Sequence, residues 1–150
     1  MGLTRLSAFL RRHPRVGIDT SIFIYALEAN TRYQPLTDHI FQWLEQTGHE
    51  AVTSTVTMAE LLTQPYRDSA ERRVDEIYGL LSTYPHLEWV APDLETADIA
   101  ARFRARFRLR MPDALQAATA VRSQSSGFLT NDSIFQRINA FETLLLDQLL

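Results

Sequence analysis

The chain contains no cysteine, no lysine and no apolar run long enough to cross a bilayer. Without cysteine there are no disulfides, thiolate zinc sites or cysteine nucleophiles. Without lysine there is no Walker-type phosphate lysine and no Schiff base. All fifteen basic residues are arginine. The four histidines, His13, His39, His49 and His86, are scattered without an HxxxH pair, so none is read as a metal ligand. Chemistry is left to carboxylates, hydroxyls, histidines, arginines and bound metal ions. The first residues do not form a secretory signal, and a soluble, cytoplasmic protein without membrane contact is expected.

A length of 150 residues with 45% hydrophobic and 22% charged content fits one globular domain with a real core. The net charge of −3 argues against nucleic acid as a partner, but the distribution of charge matters more than its sum. Residues 1–15 carry Arg5, Arg11, Arg12 and Arg15 with no acid, and residues 102–110 carry Arg102, Arg104, Arg106, Arg108 and Arg110, again with no acid. Either run can equally be a solvated face.

Strand-like and helical segments alternate along the chain. Strands are expected at Arg15–Asp19, Glu50–Thr53, His86–Ala91, Gly127–Thr130 and Glu142–Leu146. Helical spacing is read after Asp19, over Pro35–Gln46 with Gly48 ending it, and from Ser54 to a stop at Pro65. It recurs over Asp68–Thr83, from Pro92 and Asp93 through Phe103, from Pro112 through the alanine-rich stretch, and briefly over Asp132–Ile138. Such alternation implies right-handed crossovers and a parallel sheet covered by helices on both faces. Residues 1–14 precede the first strand, with Leu3, Leu6 and Leu10 on one side of a helix. They are read as a docked helical extension of a single domain rather than as an organelle transit peptide.

In open parallel sheets, ligands bind beyond the carboxyl ends of the strands. Asp19 ends the first strand, Asp132 follows the fourth by two residues, and Glu60 lies early in the helix after the second. Asp113 opens a helix feeding the fourth strand, and the strand map alone does not place it at that edge. Each acid has a plainer reading, as a helix cap, a first-turn acid or an exposed glutamate. Those readings predict no common location. A metal centre requires one, because clustered carboxylates repel unless a hard dication such as Mg²⁺ or Mn²⁺ offsets them.

The segments IDTSIFIYALE, TSTVTMAELLTQP, MPDALQAATA and GFLTNDSIF, in that order, resemble the motifs of the PIN-domain family, in particular the VapC toxins of bacterial type II toxin–antitoxin pairs. The likeness runs from about Val16 to the C-terminus. It implies a three-layer α/β/α fold with a five-stranded parallel sheet. It also implies a metal-dependent endoribonuclease that leaves a 5′-phosphate and a 3′-hydroxyl, a homodimer, and a cognate antitoxin as inhibitor. Carried over by position, the four acids are Asp19, Glu60, Asp113 and Asp132, the residues that would act in catalysis and hold Mg²⁺ or Mn²⁺. Ser21, Thr130 and Asn131 match the supporting polar positions. Gln116 departs from the pattern, standing where the family often has an apolar residue or histidine.

On this reading, Arg108 and Arg110, leading into Asp113, are expected at the pocket rim as RNA phosphate contacts. Leu62, Tyr66, Tyr78 and Leu81 can supply a dimer patch or belong to the core. Two other classes compete with this reading. A non-catalytic PIN-like module binding RNA or protein is disfavoured by the presence of all four acids. A haloacid-dehalogenase-type phosphatase needs an aspartate where Ser21 stands, and a lysine. A stand-alone PIN-like nuclease for RNA or DNA processing is not separable from a toxin by sequence.

Overall fold

A computed structural model describes all residues, 1–150. Five parallel strands, β1 (Arg15–Ile18), β2 (Glu50–Ser54), β3 (Leu87–Val90), β4 (Gly127–Thr130) and β5 (Glu142–Leu145), form one sheet in the order β3-β2-β1-β4-β5. Seven helices connect and precede them: α1 (Gly2–Arg12), α2 (Thr20–Leu27), α3 (Gln34–Glu45), α4 (Thr55–Arg67), α5 (Glu71–Ser82), α6 (Leu94–Phe107) and α7 (Met111–Arg122). This is the five-stranded parallel α/β architecture expected from the alternating pattern.

The strand period of two divides the core into two layers. Leu129 joins Val16, Ile18 and the apolar faces of α1 to α5 on one side of the sheet. Phe128, its neighbour in β4, packs on the other side with Phe135 and the alanines of α7. Ala114, Ala117, Ala118 and Ala120 are all buried. A Cβ at Gly17 would stand 2.8 Å from the Ala120 Cβ and 2.7 Å from the Phe128 ring. Small residues on both surfaces thus let α7 lie close against β1, which sets where its first turn falls.

Element boundaries moved where local chemistry decided them. Pro65 does not close α4, which runs on to Arg67: the proline forfeits the amide bond to the Leu61 carbonyl, and the helix ends two residues later. α5 begins at Glu71 rather than Asp68, since Ser69 adopts a left-handed conformation (φ 53°) that interrupts the helix. α6 continues past Phe103 to Phe107 and stops where Arg108 turns left-handed (φ 57°). Asp19 and Leu146 each fall just outside the strand expected to include them.

α1 lies against the domain, but Leu3, on the leucine face expected from the spacing, is exposed, and Phe9 takes its place inward. Leu6, Phe9 and Leu10 are buried in the larger core layer. Arg12 pairs with Glu142, and the His13 Nδ1 lies 2.8 Å from the Ser126 hydroxyl, tying the end of α1 to the beginnings of β4 and β5.

Candidate active site

The strand order reverses between β1 and β4, so the connections leave in opposite directions and open a crevice at their carboxyl ends. Asp19 leaves the end of β1, and Thr130, Asn131 and Asp132 leave the end of β4. α4 carries Glu60 from the end of β2. The location of Asp113 follows from the topology: α7 feeds the beginning of β4, so its own first turn lies at the opposite, carboxyl edge. α6 and α7 form an antiparallel hairpin, with Arg122 at the end of α7 reaching Asp93 (3.4 Å) and Glu95 (3.0 Å) at the start of α6.

A cavity of about 440 Å³ opens here, and Asp19, Glu60, Asp113 and Asp132 all line it, together with Ser21, Asn131 and Arg110. The structure therefore gives the four acids the common location that their separate readings as caps and surface residues do not require. Arg108 does not line the cavity.

Each carboxylate is held differently. Asp19 precedes α2 but does not cap it. Its Oδ2 instead accepts hydrogen bonds from the Thr130 hydroxyl (2.7 Å) and the Ser21 hydroxyl (3.1 Å). Asp113 is buried near the start of α7 and accepts from the Arg110 Nε at 3.2 Å. Asp132 is exposed and does act as a cap, accepting from the Ile134 amide at 3.0 Å. Glu60 is exposed on α4, and its Oε1 accepts from the Thr20 hydroxyl at 2.8 Å.

Burial raises the Asp19 carboxyl from an ordinary 3.8 to about 6, against the lowering effect of hydrogen bonds from Thr130, the Thr20 backbone and Ser21; the nearby charge of Asp113 raises it further. Asp19 and Asp113 are thus close enough to feel each other's charge. No three Asp, Glu or His side chains are drawn together as a preformed metal cage. The donor chemistry nevertheless fits a hard dication. The lining acids offer only oxygen, the buried Asp19 lacks a cationic partner, and Mg²⁺ normally keeps several waters rather than a full set of protein ligands.

The loop after β4 is tightly organised. Thr130 Oγ1 donates to Asp19 and accepts from the Asp132 amide (3.0 Å), joining two of the acids through one hydroxyl. Asn131 donates its side-chain amide to Tyr25 Oη (3.0 Å) and Tyr33 Oη (3.1 Å), and its Oδ1 accepts from the Asp147 amide (2.8 Å). The Tyr25 and Tyr33 rings stack at 4.1 Å. Asn131 thus fixes the loop rather than presenting a free polar group.

The sequence does not point to Thr20 or Thr57, and Gln116 stands out in it only as a departure from the family pattern. Gln116 is buried behind Glu60, donating to the Thr20 hydroxyl (3.2 Å) and to Thr57, while its Oε1 accepts from the Ser54 amide at 3.4 Å. The one signal in the sequence was a long polar residue within an otherwise alanine-rich, core-facing helix.

The PIN domain family model matches residues 16–140. This chain belongs to the PIN domain family. The match starts after α1, which lies outside the shared span. A comparison with curated proteins gives no match. Among solved structures, the PIN domain here resembles VapBC2 from Rickettsia felis bound to a DNA fragment from its promoter, at 16% identity and a TM-score of 0.66, covering 87% of this chain and 98% of that one. A toxin–antitoxin complex from Klebsiella pneumoniae matches at 19% identity and a TM-score of 0.63, covering 87% and 97%. The sarcin–ricin loop cleaving toxin VapC20 of Mycobacterium tuberculosis matches at 16% identity and a TM-score of 0.59, covering 75% and 86%. At these identities the likeness establishes the fold, a VapC-like PIN domain. No helix is long and apolar enough to cross a membrane.

Proposed function

We propose that this PIN-domain protein is a metal-dependent endoribonuclease and the toxin of a toxin–antitoxin pair. The observation that carries the reading is the convergence of Asp19, Glu60, Asp113 and Asp132 on one cavity at the β1/β4 crevice. The family match and the likeness to toxin structures support it.

Asp19 and Asp113 are the residues that would hold one or two Mg²⁺ or Mn²⁺ ions, with Asp132 and Glu60 contributing directly or through water. A dication bound there supplies acidity to a nearby water and offsets negative charge on the phosphoryl oxygens. Thr130 and Ser21 orient the Asp19 carboxylate by donating to it. Glu60, exposed in the cavity wall and steadied by Thr20, would orient the attacking water. In-line attack on the phosphodiester would leave a 5′-phosphate and a 3′-hydroxyl. Arg110 at the rim, and the exposed Arg108 two residues before it in the chain, would grip flanking phosphates and bring RNA to an acidic pocket.

The homodimer that accompanies this reading draws support from α4 and α5. Tyr66 and Tyr78 are exposed, and Tyr78 borders an apolar groove with Met58, Leu62 and Trp89. Leu81 belongs instead to the core. A cognate antitoxin is proposed from the likeness to a solved toxin–antitoxin complex.

The deciding experiment compares RNA cleavage by wild type and Asp19→Asn with Mg²⁺, Mn²⁺ or EDTA. Wild type should cleave with either ion, and both chelation and the substitution should abolish cleavage. Equal cleavage by Asp19→Asn, or activity that survives EDTA, would remove the metal-nuclease reading.

A further inference from the structure

The acid-free arginine run at the N-terminus is not used by the proposed reaction, and three of its four arginines are accounted for within the fold. Arg5 donates to the Gln148 carbonyl (2.6 Å), Arg12 pairs with Glu142, and Arg15 pairs with Glu50 and with Glu88 (2.8 Å). Arg11 has no such partner, and it lines a cavity of about 410 Å³ between α1 and α3. His39, His49, Gln42, Gln46 and Ser7 share that lining, and no carboxylate does.

The cavity lies by Pro14 and His49, at the beginnings of β1 and β2, so it occupies the sheet edge opposite the acids. Roughly 15 Å of strand separates the two sites. Its polar groups are held but not used up. His49 donates its Nδ1–H to the Trp43 carbonyl (2.7 Å) and stacks on the Trp43 ring at 4.5 Å, leaving its Nε2 uncommitted. His39 Nε2 lies 3.0 Å from the Ser7 hydroxyl, leaving its Nδ1 uncommitted. The acids adjacent in sequence do not line the cavity: Glu45 accepts from Tyr84 (3.1 Å), Glu50 is taken by Arg15, and Asp38 is exposed on α3.

We propose that this cavity is a second binding site, for a phosphate group carried by a nucleotide. The Arg11 guanidinium fork, the Gln42 and Gln46 side-chain amides and the His39 Nδ1–H supply several donors around one anion, the arrangement that suits phosphate, and the His49 Nε2 joins them in the imidazolium form. The volume falls within the range of small-ligand sites and leaves room for more than the phosphate itself. The phosphate comes either from a free mononucleotide or from an RNA strand that continues past the cutting site. Because α1 forms one wall and precedes the matched PIN span, the site is an addition to that domain.

The test is calorimetric titration of the full chain in EDTA, where turnover is suppressed. The probes are inorganic phosphate, adenosine monophosphate and a short single-stranded RNA. The whole chain should bind at least one probe. Arg11→Ala, at an exposed position, should lose at least tenfold in affinity while Asp19→Asn keeps it. Mononucleotide binding that depends on Arg11 assigns the site to free nucleotides; an Arg11-dependent component seen only with RNA assigns it to the strand. Titration should also shift the ring ¹H–¹⁵N signals of His39 and His49. No binding by any probe, wild-type affinity in Arg11→Ala, or equal loss in Asp19→Asn would overturn the proposal. None of these outcomes depends on whether the carboxylate edge cleaves RNA.

Discussion

At the scale of single residues, Asp19 carries a conflict between stability and use. Its carboxyl is raised to about 6 in the folded chain, against an ordinary 3.8. Well below 3.8 it is protonated in both folded and unfolded chains and costs nothing. As pH rises through about 6 the folded chain bears a buried charge, and stability on the order of 3 kcal/mol is lost. Asp19→Asn should therefore melt above wild type in EDTA at about pH 7.5, and the gap should close at about pH 3.5. Thermal denaturation at the two pH values checks this, and a variant that melts below wild type at the higher pH would contradict it. Gln116 presents the opposite case, a buried polar group with its partners in place. Gln116→Leu leaves Thr20, Thr57 and the Ser54 amide short of a partner, at a cost of about 1–3 kcal/mol. A lower urea midpoint should appear together with slower cleavage, because Thr20 also holds Glu60.

At the scale of elements, α1 is part of the core rather than an appendage. Phe9 is about 1% exposed, and a Cβ on Gly127 would stand 2.8 Å from its ring. Phe9→Ala should cost about 3–5 kcal/mol, read as a fall in urea midpoint with an unchanged slope. A cost below about 1 kcal/mol would mean that α1 undocks freely. The strands and most helices were legible because β-branched runs, prolines and apolar spacing state them locally. Asp19, Glu60 and Asp132 could be placed by strand order alone. Asp113 could not, because its position depends on α7 running back along the sheet, which no local pattern records. The Gln116–Thr20–Glu60 chain was hidden for the same reason: its members are far apart in sequence and meet only through packing. Boundaries slipped at Ser69 and Arg108, where non-glycine residues take left-handed conformations that sequence does not announce.

For the whole molecule, the question is how a chain of net charge −3 would take up RNA at an acidic cavity. The arginines of residues 102–110 are not equivalent. Arg102 pairs with Asp98 (2.9 Å), Arg104 donates to the Leu109 carbonyl (3.3 Å), and Arg106 lies over the Phe107 ring. Arg108 is exposed without an ion pair, whereas Arg110 engages Asp113 inside the site. Both should contribute to RNA affinity, so Arg108→Ala and Arg110→Ala should each weaken binding in EDTA. Each should also flatten the dependence of log affinity on log salt by about 0.7, the release expected per single-strand phosphate contact. Their effects on metal should differ. Arg108→Ala should leave Mn²⁺ affinity unchanged, while Arg110→Ala should raise it, because removing a competing cation frees Asp113 for the ion. Fluorescence anisotropy across a salt series, with Mn²⁺ titration of each variant, separates the two roles. If both variants keep wild-type RNA affinity at low salt, the arginine rim has no part in substrate capture.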